Sequence, residues 1–483
     1  MLSSVLKPSA PIKRAQCHTP ISKEKGLPLL GSLPEFAKSP LDFFNRLTLE
    51  YSGVVEFSLA SMHAALVIDG DIAHKILVKE AKNFRKGDRD IQIMGTILGN
   101  GLVTNNHTGK HKIQRKLVQP GFHFRRVQSY SKIMSDYTTN YINDWQNGRR
   151  DISDDMFKLT MNIVCKTLFD IDMESIEKEA DDIGQTMKVV QSSIDSKFNQ
   201  LFLLPDWVPT PNNVRLNKAR KKLYSTIENM IYSRQLETSS TNDQLEDTAT
   251  GELAKTDAND KGDMMSMLLQ AKYEDGSSMD TKLVMDELIT LFVAGHETTS
   301  NALSWTFYLL AQHPEIQRKL QIELDSVLQG ADAEFSHLDQ LTYCEMVVKE
   351  SMRLLPPVWT LNARQANEDI VVDDYFFPKD KVVFISPYSN HRNPKYFKQP
   401  EKFDPERFSP ENEKTIPKHV YIPFGAGPRV CIGQSFAMME AKIILASIMQ
   451  RFSISLDKHQ KFDPLAQITL SNNGGMNIHI KKR

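Results

Sequence analysis

Ten residues near the C-terminus, Phe424-Gly-Ala-Gly-Pro-Arg-Val-Cys-Ile-Gly433, constrain this chain more than any other stretch. Gly425, Gly427 and Pro428 force a tight, non-helical loop. Directly behind it, Phe436, Met439, Ile443 and Ile444 begin an apolar stripe at helical spacing. Cys431 therefore sits at the entrance of a helix, where unpaired backbone amides and the positive end of the helix dipole favour thiolate over thiol. A buried structural cysteine would account for the residue but not for its loop. A phosphate-binding G-x-G-x-x-G is excluded, because it needs glycine where Val430 stands.

A second constraint lies upstream. Met285, Leu288, Ile289, Phe292, His296, Thr299 and Leu303 recur at helical spacing and predict a helix over 281–312. At about 1.5 Å per residue it is nearly 50 Å long, enough to cross a domain. Its centre, Ala294-Gly-His-Glu-Thr-Thr-Ser300, breaks local rules. Gly295 costs about 1 kcal/mol relative to alanine, and two β-branched threonines follow. Such violations cluster at functional sites. Gly295 would let a flat cofactor approach, a threonine hydroxyl would distort the backbone into a small groove, and Glu297 beside Thr298 offers an acid and an alcohol for proton transfer. His296-Glu297 also opens a zinc-protease H-E-x-x-H, but Ser300 occupies the closing position.

Composition narrows the class. With 40% apolar and 25% charged residues the chain is an ordinary globular protein, and its net charge of -1 gives no pull toward nucleic acid. Its four cysteines are scattered without a C-x-x-C pair, so neither a disulfide framework nor a structural zinc site is indicated and a reducing compartment fits best. No apolar run reaches the roughly 18 residues that span a bilayer, which points to a cytoplasmic protein without a transmembrane anchor. Residues 1–25 read as a flexible tail, with Lys7, Lys13 and Arg14 faintly like a transit peptide but Pro8 and Pro11 against it. Residues 26–483 read as a single catalytic domain, mostly α with a smaller β region. Within it, 237–263 is polar enough to be a disordered loop, and 381–385 reads as a strand.

Glu350 and Arg353 stand three apart in a helical stretch, so they share a face and can pair. Taken with Phe403-Asp-Pro-Glu-Arg-Phe408, they resemble the E-x-x-R helix of cytochromes P-450 and the arginine, Arg407, that completes its network. The cysteine segment resembles the same family's F-x-x-G-x-R-x-C-x-G signature, and 294–299 its A-G-x-[DE]-T-T motif. The motifs come in the family's order, and the resemblance runs from about Gly26 to the C-terminus.

That resemblance implies a triangular prism in which haem b, iron protoporphyrin IX, lies between the long helix and the cysteine loop. Cys431 would be the iron ligand and Phe424, Gly295 and Arg429 would lie against the cofactor. His111 and Arg115, where many relatives have W-x-x-x-R, would clamp the propionates with Arg364. Glu297 and Thr298 would be catalytic in a monooxygenase that inserts one atom of O2 into a hydrophobic small molecule such as a fatty acid or terpenoid. About fifty residues follow Cys431, too few for a flavin domain. Electrons are therefore expected from NAD(P)H through a ferredoxin and its reductase, or a flavoprotein reductase, docking near Lys110, Lys112 and Lys116 of a monomer. A peroxide-driven peroxygenase or haem-thiolate isomerase, and a haem-based gas sensor, are the alternatives. The Glu297-Thr298 pair argues against the first two, and a sensor would bind gas without substrate-induced spectral change.

Overall fold

The computed structural model describes residues 19–171, 177–198, 200, 203–246 and 263–483. The chain divides into two compact units: Met1–Asp90, Thr360–Pro400 and Pro417–Val430 in the first, and Ile91–Trp359, Glu401–Ile416 and Cys431–Arg483 in the second.

The first unit is built on a six-stranded mixed sheet. Val54–Leu59 and Met62–Val67 form its central hairpin, Ser22–Lys23 pairs parallel on one side, and Val382–Phe384, Arg364–Ala366 and Phe84–Lys86 follow on the other. Helix α1 (Pro40–Glu50) starts where Ser39 accepts the Asp42 N–H and Pro40 supplies a preset φ. Its Phe43 and Phe44 meet Phe57, and Phe44 also Phe384, at centroid distances of 5.3 to 5.9 Å, an aromatic core for the sheet. The tail expected to run free to Lys25 is shorter, because Ser22 and Lys23 find backbone partners at Val55 and Glu56; residues 1–18 of it lie outside the described residues.

The second unit is helical. Its framework is α2 (Thr108–Val118), α3 (Phe124–Asn143), α4 (Ile152–Phe169), α5 (Glu177–Phe198), α6 (Pro211–Glu246), α7 (Thr281–Gln312), α8 (Thr342–Leu354) and α9 (Gln434–Arg451). The spacing predicts α7, and it forms with those bounds. Asp280 caps its start by accepting from the Lys282 N–H, and it stops just ahead of Pro314. From Asp286 to Ala311 nearly every residue is buried, as expected of a helix apolar on all sides. Trp305, fully buried, donates to the Leu470 carbonyl, and Trp359 donates to Gln467, so both indoles hold the hairpin Pro464–Ala466/Leu470–Asn472. Helix α6 continues to Glu246, into the stretch expected to be loop, because no Pro or Gly interrupts it; residues 247–262 lie outside the described residues. The expected strand over 381–385 is Val382–Phe384 of the first unit, and the architecture is mostly α with a smaller β part.

Candidate active site

Cys431 belongs to the second unit and lies three residues before α9. Among the described cysteines it alone is exposed; Cys165 and Cys344 are buried, and burial pushes the Cys165 thiol up to about 12. The surroundings of Cys431 are close as well. Burial pushes its thiol up, while the Gly433 N–H and the Arg115 cation pull it down. The expected pull toward thiolate is thus present but outweighed by desolvation.

Helix α2 supplies the neighbouring cation. His107 caps it by accepting from the Lys110 N–H. His111 is buried, and burial lowers Arg115 on the next turn, with Cys431 opposing. Lys110 and Lys112 are exposed, whereas Lys116 pairs with Glu274 at 2.7 Å.

In the middle of the buried helix α7 one stripe is open: Ala294 is exposed, and Thr298, one turn later, is half-buried. The Thr298 hydroxyl donates to the Ala294 carbonyl at 2.9 Å and the Thr299 hydroxyl to the Gly295 carbonyl at 3.1 Å, the hydroxyl bonding the sequence suggests, while the helix runs on unbroken. Gly295 has a different reason from the expected one. A Cβ there would stand 3.3 Å from Val164, so the glycine lets α7 approach α4 instead of opening the accessible stripe. His296 points inward, with Nδ1 on the Phe292 carbonyl and its ring against Phe157, and burial lowers it to about 4. It is a core histidine, as the incomplete zinc motif suggests.

Glu297 is buried. Its Oε1 accepts from the Gln191 amide at 2.7 Å and from the Thr469 hydroxyl, and burial pushes its carboxyl up to about 7. An apolar cavity opens beside it, lined by Met94, Leu98, Met187, Ile194, Val293 and Ile468. Gln191 and Thr469 were not legible in the sequence: one sits in an ordinary helical stretch, the other in a turn.

The first unit holds a separate cluster. Lys86 and Arg364 are buried and both sense Arg429; burial and Arg429 bring Arg364 down to about 10, and burial, Arg364 and Arg429 hold Lys86 well below its ordinary value, with Asp90 opposing in both cases. Asp90 accepts from the Ala363 N–H at 2.8 Å. Two buried cations, with Arg429 near them, around one carboxyl form a receptor for an anionic group. Lys86 is new; its only sequence signal is alternation with buried Phe84 in the strand Phe84–Lys86. Phe424 is partly buried, and the loop around it is fixed by Gly425 (φ 72°) and Gly427 (φ 70°), where a Cβ on Gly427 would strike the Leu77 carbonyl at 2.0 Å.

The remaining motif forms a closed ionic network. Arg353 grips Glu350 through Nε (2.7 Å) and a second nitrogen (2.9 Å), and Arg407 adds a bond of 3.3 Å, with the Asp404 N–H at 2.9 Å completing the carboxylate's shell. Glu350 and Arg353 are wholly buried. The network pins 402–407 onto α8 and offers no accessible atom for chemistry.

A family model described as Cytochrome P450 matches residues 21–476. The chain belongs to the cytochrome P450 family. Among curated relatives, it is 30% identical to cyclooctat-9-en-7-ol 5-monooxygenase of Streptomyces melanosporofaciens, over 93% of this chain and 92% of that one. It is 31% identical to cyclooctatin synthase of the same organism, over 92% of each, and 32% identical to mouse leukotriene-B4 omega-hydroxylase 3, over 85% of this chain and 79% of the other. Relatives of this P450 are thus named for monooxygenation and hydroxylation, and the family brings a haem and the use of O2. The donors in the second unit suit that group: an accessible sulfur with an N–H and an arginine beside it. Among the described residues no helix is long and apolar enough to cross a membrane.

Proposed function

We propose that this P450 hydroxylates a largely apolar molecule of terpenoid or fatty-acyl size, with electrons from NAD(P)H delivered by a separate ferredoxin system or flavoprotein. The observation that carries the reading is the accessible stripe at Ala294 and Thr298, set in an otherwise buried helix and adjoining a buried acid that exchanges protons near neutral pH. Cys431 would bind the haem iron, and iron coordination would supply the deprotonation that the protein alone does not. Arg115 and His111 of α2 would hold the propionates. Haem bound in this way supplies the redox chemistry of O2 activation, with a thiolate ligand favouring O–O cleavage.

The chain's own residues do the rest. Thr298 holds a proton at Oγ1 and can exchange its Ala294 partner for a ligand in the stripe. Glu297, half protonated near pH 7, is suited to replenish it. The cavity walls exclude water and orient an apolar substrate. The two bacterial relatives' names favour a terpenoid-like substrate, and the mouse relative's name a fatty-acyl one. Lys110 and Lys112 are available to an acidic electron donor. The test is a screen of terpenes, terpene alcohols and fatty acids for the spectral shift that accompanies loss of the iron's water ligand, followed by product analysis with surrogate redox partners. Oxygenated product that requires both O2 and the partners supports the reading. Turnover with peroxide alone, or gas binding without any substrate shift, overturns it.

A further inference from the structure

We infer that the apolar cavity beside Glu297 takes the hydroxyl-bearing end of a neutral substrate, a terpenoid or fatty alcohol and not a free fatty acid, with Gln191 as the residue that receives the hydroxyl. The inference rests on the monooxygenase reading above and chooses between the substrate chemistries that reading leaves open.

Three polar residues line this cavity, Gln191 of α5 and His296 and Glu297 of α7; the rest of its wall is apolar and includes no lysine or arginine. What each polar group can still do follows from the bonds it already makes. The Gln191 amide nitrogen donates to Glu297 Oε1 at 2.7 Å, which orients the amide and leaves its carbonyl Oε1 without a partner among the described residues. His296 Nδ1 stands 2.7 Å from the Phe292 carbonyl, which can only accept, so Nδ1 carries the hydrogen. Burial lowers the ring to about 4 and so keeps it neutral near pH 7; its Nε2 is then an acceptor too, again without a partner among the described residues. Glu297 Oε1 takes both donors, Gln191 and Thr469, and Oε2 takes neither. Unlike sealed polar atoms such as Ser351 Oγ, these three keep accessible surface. His296 and Glu297 are only 1% and 7% exposed, so the surface that their spare atoms keep belongs to the cavity wall.

The cavity therefore offers acceptors, and its ligand must bring the donor. A hydroxyl does so, and in an apolar wall its burial is offset only when it is paired. An ether or ketone brings one more acceptor. A carboxylate meets acceptors, an acid of its own sign and no cation, which leaves its desolvation uncompensated. Glu297 can donate only while it holds the proton that Thr298 draws on, whereas Gln191 Oε1 accepts throughout.

The test uses holoenzyme and two matched series: farnesol and 1-dodecanol, each beside its methyl ether, its hydrocarbon and its carboxylic acid. Affinities are read from the substrate-induced spectral shift and from calorimetry. Each alcohol should bind roughly tenfold more tightly than its ether or acid, and also more tightly than its hydrocarbon, the reverse of the order that a purely apolar cavity gives. In Gln191→Met the alcohol should lose its advantage over the ether, while the hydrocarbon still binds. Acids or hydrocarbons that bind as tightly as the alcohols, an advantage that survives in Gln191→Met, or alcohols that do not bind at all, would overturn the inference. The two readings fail separately. Acids that bind best and are oxygenated with surrogate redox partners leave the monooxygenase reading intact and sink this one; the expected order of affinities without any oxygenated product leaves the hydroxyl site intact and sinks the monooxygenase reading.

Discussion

Gly427 shows how far a single residue can be read from its chemistry. Its positive φ and the 2.0 Å approach of the Leu77 carbonyl leave no space for a methyl group. Gly427→Ala should destabilise the fold by roughly 3 kcal/mol, as a strained backbone and a clash with main chain combine. Denaturant unfolding measures this, and a loss below about 0.5 kcal/mol would show that the loop adapts. Cys431 was legible for the same reason: two glycines and a proline before a helical stripe leave few alternatives. Gly295 was legible only as an anomaly, since nothing in the sequence says that its missing side chain faces Val164. Gln191 and Thr469 carried no signal, because their importance comes from a tertiary meeting with Glu297.

At the scale of elements, two devices hold helices in place. The first is the network on α8. Removing one partner leaves an uncompensated buried charge, so Glu350→Gln should cost about 3–5 kcal/mol by equilibrium unfolding, and a near-neutral result would show the network to be dispensable. The second joins α7 to the segment before α2: Asp286 accepts from the Asn100 N–H at 2.9 Å, and Glu287 from the Leu102 N–H at 3.0 Å and from the Gln114 side chain. Burial raises the Glu287 carboxyl from 4.5 to about 7, against those donors. Between these values the folded chain binds a proton that the unfolded chain has released. Stability therefore falls as pH rises through this window, by roughly 3 kcal/mol from this group. Glu287→Gln should flatten the decline between pH 5 and pH 8. Parallel pH profiles for variant and wild type would contradict the assignment. The α8 pair was legible from its three-residue spacing; the α7 clamp was not, because an acidic pair on a helix reads as a solvated face.

For the whole molecule, ligand and stability are linked. In the first unit Lys86 sits among Arg364 and Arg429, a repulsion that a bound anion would relieve. Lys86→Met should stabilise the protein, because it removes one of three neighbouring cations, and thermal unfolding measures the gain. A lowered melting temperature would mean that the cluster serves another purpose. The central claim is that Cys431 presents its sulfur to haem iron, and the carbon monoxide difference spectrum of the reduced protein tests it most directly. Wild-type protein should give the red-shifted Soret band of a thiolate-bound haem, and Cys431→Ser should lose it. An unaltered band in Cys431→Ser, or a wild-type protein that takes up no haem, would contradict the account.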